Sequence, residues 1–120
     1  MIDILLEVRT ILYANADLIT LLGGKHVYIN KTSNPKQFPR VILYQMPSGD
    51  TDYADDNPTA IDYSIQVSIF DKKETLTLFN AVDPILKANG WRQTFNHETY
   101  EEDEQVFHRP LRYRQKIQNL

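Results

Sequence analysis

Residues 61–70, IDYSIQVSIF, alternate without a fault as far as Ile69. Ile61, Tyr63, Ile65, Val67 and Ile69 take the odd positions, and Asp62, Ser64, Gln66 and Ser68 stand between them. A period of two sorts into an apolar and a polar face only in a strand, so this segment requires a sheet with one side buried. A chain of 120 residues has room for one such core, hiding roughly two-thirds of its unfolded surface. Residues 1–120 therefore read as a single domain.

The neighbouring segments supply what the sheet needs. RVILYQM (40–46) is apolar on both faces, as in a strand covered on two sides. HVYI (26–29) reads as a shorter strand, and NKTSNPKQFP between them, with two prolines and no period, as an ordered loop or arm. Near the N-terminus Ile4, Leu5, Val8, Ile11 and Leu12 share a helical stripe, with Asp3, Glu7 and Thr10 on the other side. Asn15 interrupts that helix. Asp17 is placed to cap a short second turn, DLITLL, and Gly23 to end it in the left-handed region.

After the alternating strand, Asp71 with Glu74 three residues on reads as an Asp version of the capping box. The helix that follows buries Leu76, Phe79, Val82 and Leu86 and stops at Asn89-Gly90. Pro84 lies inside it and predicts a kink, or a break with Asp83 recapping a last turn. Two more strands, about 91–97 and 105–116, are joined by ETYEEDE. In the last one Phe107, Leu111 and Tyr113 share a face with Arg109; His108, Pro110, Arg112, Arg114 and Lys116 share the other. Pro110 cannot donate to a ladder, which predicts an edge position or a bulge. The order is α-β-β-β-α-β-β, and the fold class is α+β: an antiparallel sheet with two main helices on one face.

Composition narrows the function classes. Without cysteine there are no disulfides, no thiolate chemistry and no Cys-type zinc site. The apolar run ILYANADLITLLGG is broken by Asn15 and Asp17, so it is no transmembrane helix, and no basic segment precedes it to make a signal peptide. A net charge of −3 argues against general nucleic-acid affinity, though not against a local basic face. A soluble cytoplasmic domain is the expectation.

Two charged clusters stand out. Asp50, Asp52, Asp55 and Asp56 crowd MPSGDTDYADDNPT (46–59), between two strands. A calcium loop begun at Asp50 would need Gly at its sixth position and Glu at its twelfth; it finds Asp55 and Ile61. Pro47, Gly49 and Pro58 at its borders make the stretch a long hairpin connection instead, and so long a connection hints at a contact surface. His26, His97 and His108 form no HExxH pair; HETYEE (97–102) lacks the second histidine. There is no GxSxG, P-loop or dinucleotide fingerprint, and NKT (30–32) matches the glycosylation triplet without a secretory signal. No catalytic residue, cofactor or metal is expected. The second cluster is basic: Arg112, Arg114 and Lys116 project from one face of the last strand. It is either a solvated outer face or a surface for a neighbouring subunit or DNA phosphates. With Asp50 to Asp56 on another element, acid can meet base between copies in a head-to-tail ring.

Taken in order, DLITLLGGKHVY, NPKQFPRVILYQ, DYSIQVSIFDKK and the closing HRPLRYR resemble the small tail-completion proteins of long-tailed phages, also called tail terminators or tail-to-head joining proteins. The likeness is one of order and spacing over nearly the whole chain, and each motif is structural, not catalytic. The resemblance implies an α+β fold and a homo-oligomeric, six-fold ring in the virion neck, assembled in the host cytoplasm. It implies a ring that stops tail-tube growth, meets the tail tube protein and the head completion or connector proteins, and leaves a lumen for DNA without sequence-specific binding. A head-closure or neck adaptor, and further off a small metal-dependent enzyme or binding module, are the alternatives; none involves a membrane.

Overall fold

A computed structural model describes residues 3–54 and 57–118, with the side chains of residues 48–59 outside the description. The first stripe folds as expected. Helix α1 spans Ile4–Tyr13, starts on the Asp3 carboxylate, which accepts from Leu6 N, and buries Ile4, Leu5, Val8 and Leu12. Helix α2, Ala16–Leu22, is capped by Asn15 and not by Asp17: Asn15 has the extended backbone of a cap, and its side chain accepts from Leu18 N at 2.9 Å. Asp17 falls in the first turn, where the helix dipole favours a negative charge. Gly23 ends α2 at φ 75°.

The strands are β1 (Val27–Ile29), β2 (Arg40–Ala54), β3 (Asn57–Asp71), β4 (Arg92–Asn96), β5 (Thr99–Glu101) and β6 (Val106–Gln118), with helix α3 (Leu76–Ala88) between β3 and β4. The order is thus α-α-β-β-β-α-β-β-β. ETYEEDE is no bare joint, since its Thr99–Glu101 form β5. The sheet runs β1-β2-β3-β6-β4, with β5 also on β6. All pairs are antiparallel except β1 with β2, where Val27 meets Val41 and Ile29 meets Leu43 in parallel. The sheet is therefore mixed. The arm of residues 30–39 carries the chain back to the start of β2, the crossover that a parallel pair requires.

The hairpin is longer than the sequence pattern suggests. Pairing of β2 with β3 continues past Met46 through Asp50↔Ile61 and Asp52↔Ala60 to Ala54↔Asn57, with register shifts after Met46, Asp50 and Asp52. Pro47 lies in the first shift, where a bulge tolerates its missing N–H. Two 15-residue strands at about 3.3 Å per residue set the molecule's long dimension, 52 Å against 29 and 24 Å. Asp50 and Asp52 belong to β2; Asp55 and Asp56 lie outside the described residues.

Helix α3 begins later than the capping box predicts. Asp71 is still the last residue of β3, opposite Phe107, and its carboxylate accepts from Lys73 N in a local turn. A residue held in the ladder cannot also start a helix, so Thr75 takes the N-cap position. Of the predicted stripe Val82 and Leu86 are buried, joined by Leu78; Leu76 is 52% exposed and Phe79 only partly buried. The helix runs through Pro84 and reaches Ala88, so of the kink or break expected there the break does not occur.

All three helices lie on one face. Their apolar residues meet Val41 and Leu43 of β2, the odd-numbered residues Ile61–Ile69 of β3, and Leu111 and Tyr113 of β6 in one core. Pro110 sits where the outer neighbour of β6 is interrupted: β4 pairs up to Leu111, β5 resumes at His108, and nothing is paired there with Arg109 or Pro110. β6 is an inner strand, so the proline is accommodated by a gap and not by a sheet edge.

Candidate interaction surface

The even-numbered residues of β3 and β6 face away from the helices, and the two ends of that face differ. At one end the arm folds back over the sheet. Ile42, Phe70 and Val106 are buried there with Tyr28, Phe38 and Tyr44 against them, a second small core. Ile42 is thereby covered on the side opposite Val41 and Leu43, as the two-sided apolar pattern of RVILYQM requires. Arg40, 5% exposed, lies with its guanidinium 4.4 Å from the Phe38 ring and 4.6 Å from the Phe70 ring, and donates through Nη1 to the carbonyls of Pro35 and Gln37. Phe70 in turn stacks on His108 at 4.3 Å, and Glu101 stands 3.4 Å from His108 Nδ1. Burial depresses the His108 pKa; Glu101 opposes this, and the Arg40 charge adds to it. Sequence reasoning missed Arg40, because Phe70 comes from β3 and closes the pair of rings around it only in the fold.

At the other end nothing covers the sheet among the described residues. Arg112, Arg114 and Lys116 are exposed along β6, as their alternation predicts. They are not equivalent. Arg112 donates to Gln66 Oε1 at 3.2 Å and lies 5.0 Å from the Phe95 ring, so β3 and β4 hold it from both sides. Arg114 forms an ion pair with Asp62 of β3. Lys116 stands directly opposite Asp62 in the β3–β6 register. The stripe is thus partly neutralised within its own chain. Arg92 of β4, which the sequence pattern did not single out, stands opposite Arg114 and has no ion-pair or hydrogen-bond partner among the described residues. Like charges directly opposite one another destabilise a ladder. With Asp62, Arg92, Arg114, Gln115 and Lys116 line a shallow cleft of about 270 Å³.

The helix-side polar groups are structural. Arg109, on that face as predicted, donates from Nε to Thr75 Oγ1 and from Nη1 to Asn96 Oδ1, and lies over Phe79. Thr75 also bonds to Glu98 through both its N–H and its hydroxyl. This ties the start of α3 to the β4–β5 junction. Asp83, 8% exposed, accepts from Tyr113 Oη at 2.7 Å and Gln93 Nε2 at 3.1 Å, and meets Lys87 Nζ at 2.7 Å. Burial alone would raise the Asp83 pKa; the bonds from Lys87, Tyr113 and Gln93 outweigh it and hold the carboxyl below its ordinary value. The same burial and the Asp83 carboxylate push the Tyr113 phenol well above its own. No group of His, Asp and Glu able to hold a metal exists among the described residues, and no described helix is long and apolar enough to cross a membrane.

The architecture is that of a two-layer α+β domain with a helical back and a half-covered sheet front. A chain of the virion of a native gene transfer agent particle shares it, with a TM-score of 0.66 over 93% of this chain and 92% of that one, at 16% identity. The likeness is one of fold. No protein-family model and no curated protein matches the chain.

Proposed function

We propose that the chain is a structural virion protein that forms a ring at the head-proximal end of a phage tail, terminates growth of the tail tube and joins tail to head. The observation that carries this reading is the end-to-end likeness to a chain of a virion, covering more than nine-tenths of both. The segment-by-segment resemblance to tail-completion proteins supports the terminator role within that class. Asp50, Asp52, Asp55 and Asp56 of the acidic segment, and Arg112, Arg114 and Lys116 of β6, are its subunit or partner contacts. Its partners are further copies of itself in a six-fold ring, the tube protein and the head completion proteins, with DNA passing through the lumen.

The sequence alternative, a head-closure or neck adaptor, differs in one observable. A terminator limits tube length, whereas an adaptor acts on a finished tail. Particles assembled without this chain should carry tails of uncontrolled length that fail to join heads, as seen by electron microscopy. Tails of normal length beside leaking heads would instead assign the chain to the head side of the joint.

A further inference from the structure

The uncovered end of the sheet is matched by the opposite side of the molecule. The outer face of α1 presents Asp3, Leu6, Glu7 and Thr10 around a shallow groove. Leu6 is 44% exposed, Glu7 is exposed as well, and neither the Asp3 nor the Glu7 carboxylate has a cationic partner among the described residues. Leu21 on α2 adds a second leucine at 44% exposure, beside the open Asp17. Arg9, the one basic residue of α1, is half-buried, and no ion pair of either acid with it is formed. The outer faces of α1 and α2 are therefore acidic with exposed leucines. The front is basic, with Phe95 41% exposed beside Arg112, and arginines and aromatic rings are the residue types enriched at interfaces.

We infer that copies of this chain associate back to front: the outer face of α1 of one copy docks on the uncovered sheet face of the next, with Asp3 and Glu7 meeting Arg92, Arg112 and Arg114. This rests on the ring-forming reading above and names its interface. Two surfaces on opposite faces of one domain cannot pair within the chain. Joined between copies, they give a heterologous contact, which closes into a ring when the rotation allows. The arrangement supplies the Arg92–Arg114 pair with anions that, among the described residues, its own chain provides only through Asp62. Arg112, already held by Gln66 and Phe95, loses little freedom on docking. The acidic hairpin is a weaker candidate for the same face, because β2 and β3 extend the sheet that carries the basic stripe and do not lie behind it.

The absence of cysteine makes the test clean. A chain carrying Glu7→Cys and Arg112→Cys has its only two thiols on opposite faces, where they cannot bridge internally. Oxidation, or treatment with a short bismaleimide, should produce a covalent ladder running beyond the dimer on a non-reducing gel. Either single variant should remain monomeric there, and circular dichroism should match the parent. A single Arg112→Cys chain that stops at a covalent dimer would show sheet faces meeting each other and overturn the inference. Rings visible by electron microscopy without a ladder would overturn it too, while leaving the ring reading intact. A chain that neither oligomerises nor caps tails would overturn both.

Discussion

Asp83 shows how one side chain ties a helix to a sheet. It sits on α3 beneath Pro84, yet its carboxylate collects the Tyr113 hydroxyl from β6, the Gln93 amide from β4 and the Lys87 ammonium from the next turn. Hydrogen bonds to a charged group contribute about 1.5–3 kcal/mol, so Tyr113→Phe should lose about that much in urea unfolding at neutral pH. The sign of the pH dependence follows from the depressed Asp83 pKa. Its contribution is complete above the usual aspartate value, roughly 3.9, and is lost as pH falls through the lower folded value. Asp83→Asn should therefore be less stable than the parent at pH 7, with the difference shrinking as the solution is acidified below that range. A constant difference down to the lowest pH would assign the effect to packing and not to charge.

Elements are decided by competition for the same residues. Asp71 is a good cap by composition, but the ladder to Phe107 holds it in β3 and delays α3 until Leu76. Val82 and Leu86 are buried as predicted, but Leu78 replaces Leu76 and Phe79 in the buried face of the first turn. Leu78→Ala should cost about 2–5 kcal/mol, as full-burial leucine truncations do. Leu76→Ala, at a position half open to solvent, should cost under about 1 kcal/mol. Thermal or urea melts of the two variants side by side check the register; equal losses would restore the stripe predicted from the capping box.

At the scale of the whole molecule, charge is sorted by side. The net −3 hides a basic stripe on the sheet front and acidic outer faces on α1 and α2. Each exposed pair contributes only about 0–1 kcal/mol, so one substitution should leave assembly standing while several reversed together should not. Arg112→Glu with Arg114→Glu should fold normally by circular dichroism and lose ring formation and tail capping in a complementation assay. Adding Glu7→Arg should recover part of the assembly if the back of α1 is the partner; adding Asp55→Lys and Asp56→Lys should recover it if the hairpin is. Normal capping by the arginine variant would reduce the stripe to a solvated face.

What this chain's sequence determined alone is whatever rests on local period. The faultless alternation of residues 61–69, the stripe of α1 and the alternation of Arg112, Arg114 and Lys116 each fix a face, because a strand or helix turns side chains at a constant angle. The α+β class and the helices on one side follow from those faces. Tertiary structure decided what depends on elements meeting. The parallel β1–β2 pair follows from the path of the arm, the long hairpin from bulges that absorb Pro47, and the start of α3 from the β3–β6 ladder. The same holds for the residues that the pattern passed over. Arg92 matters because it stands opposite Arg114, and Arg40 because Phe38 and Phe70 close on it, and no spacing along the chain records either approach.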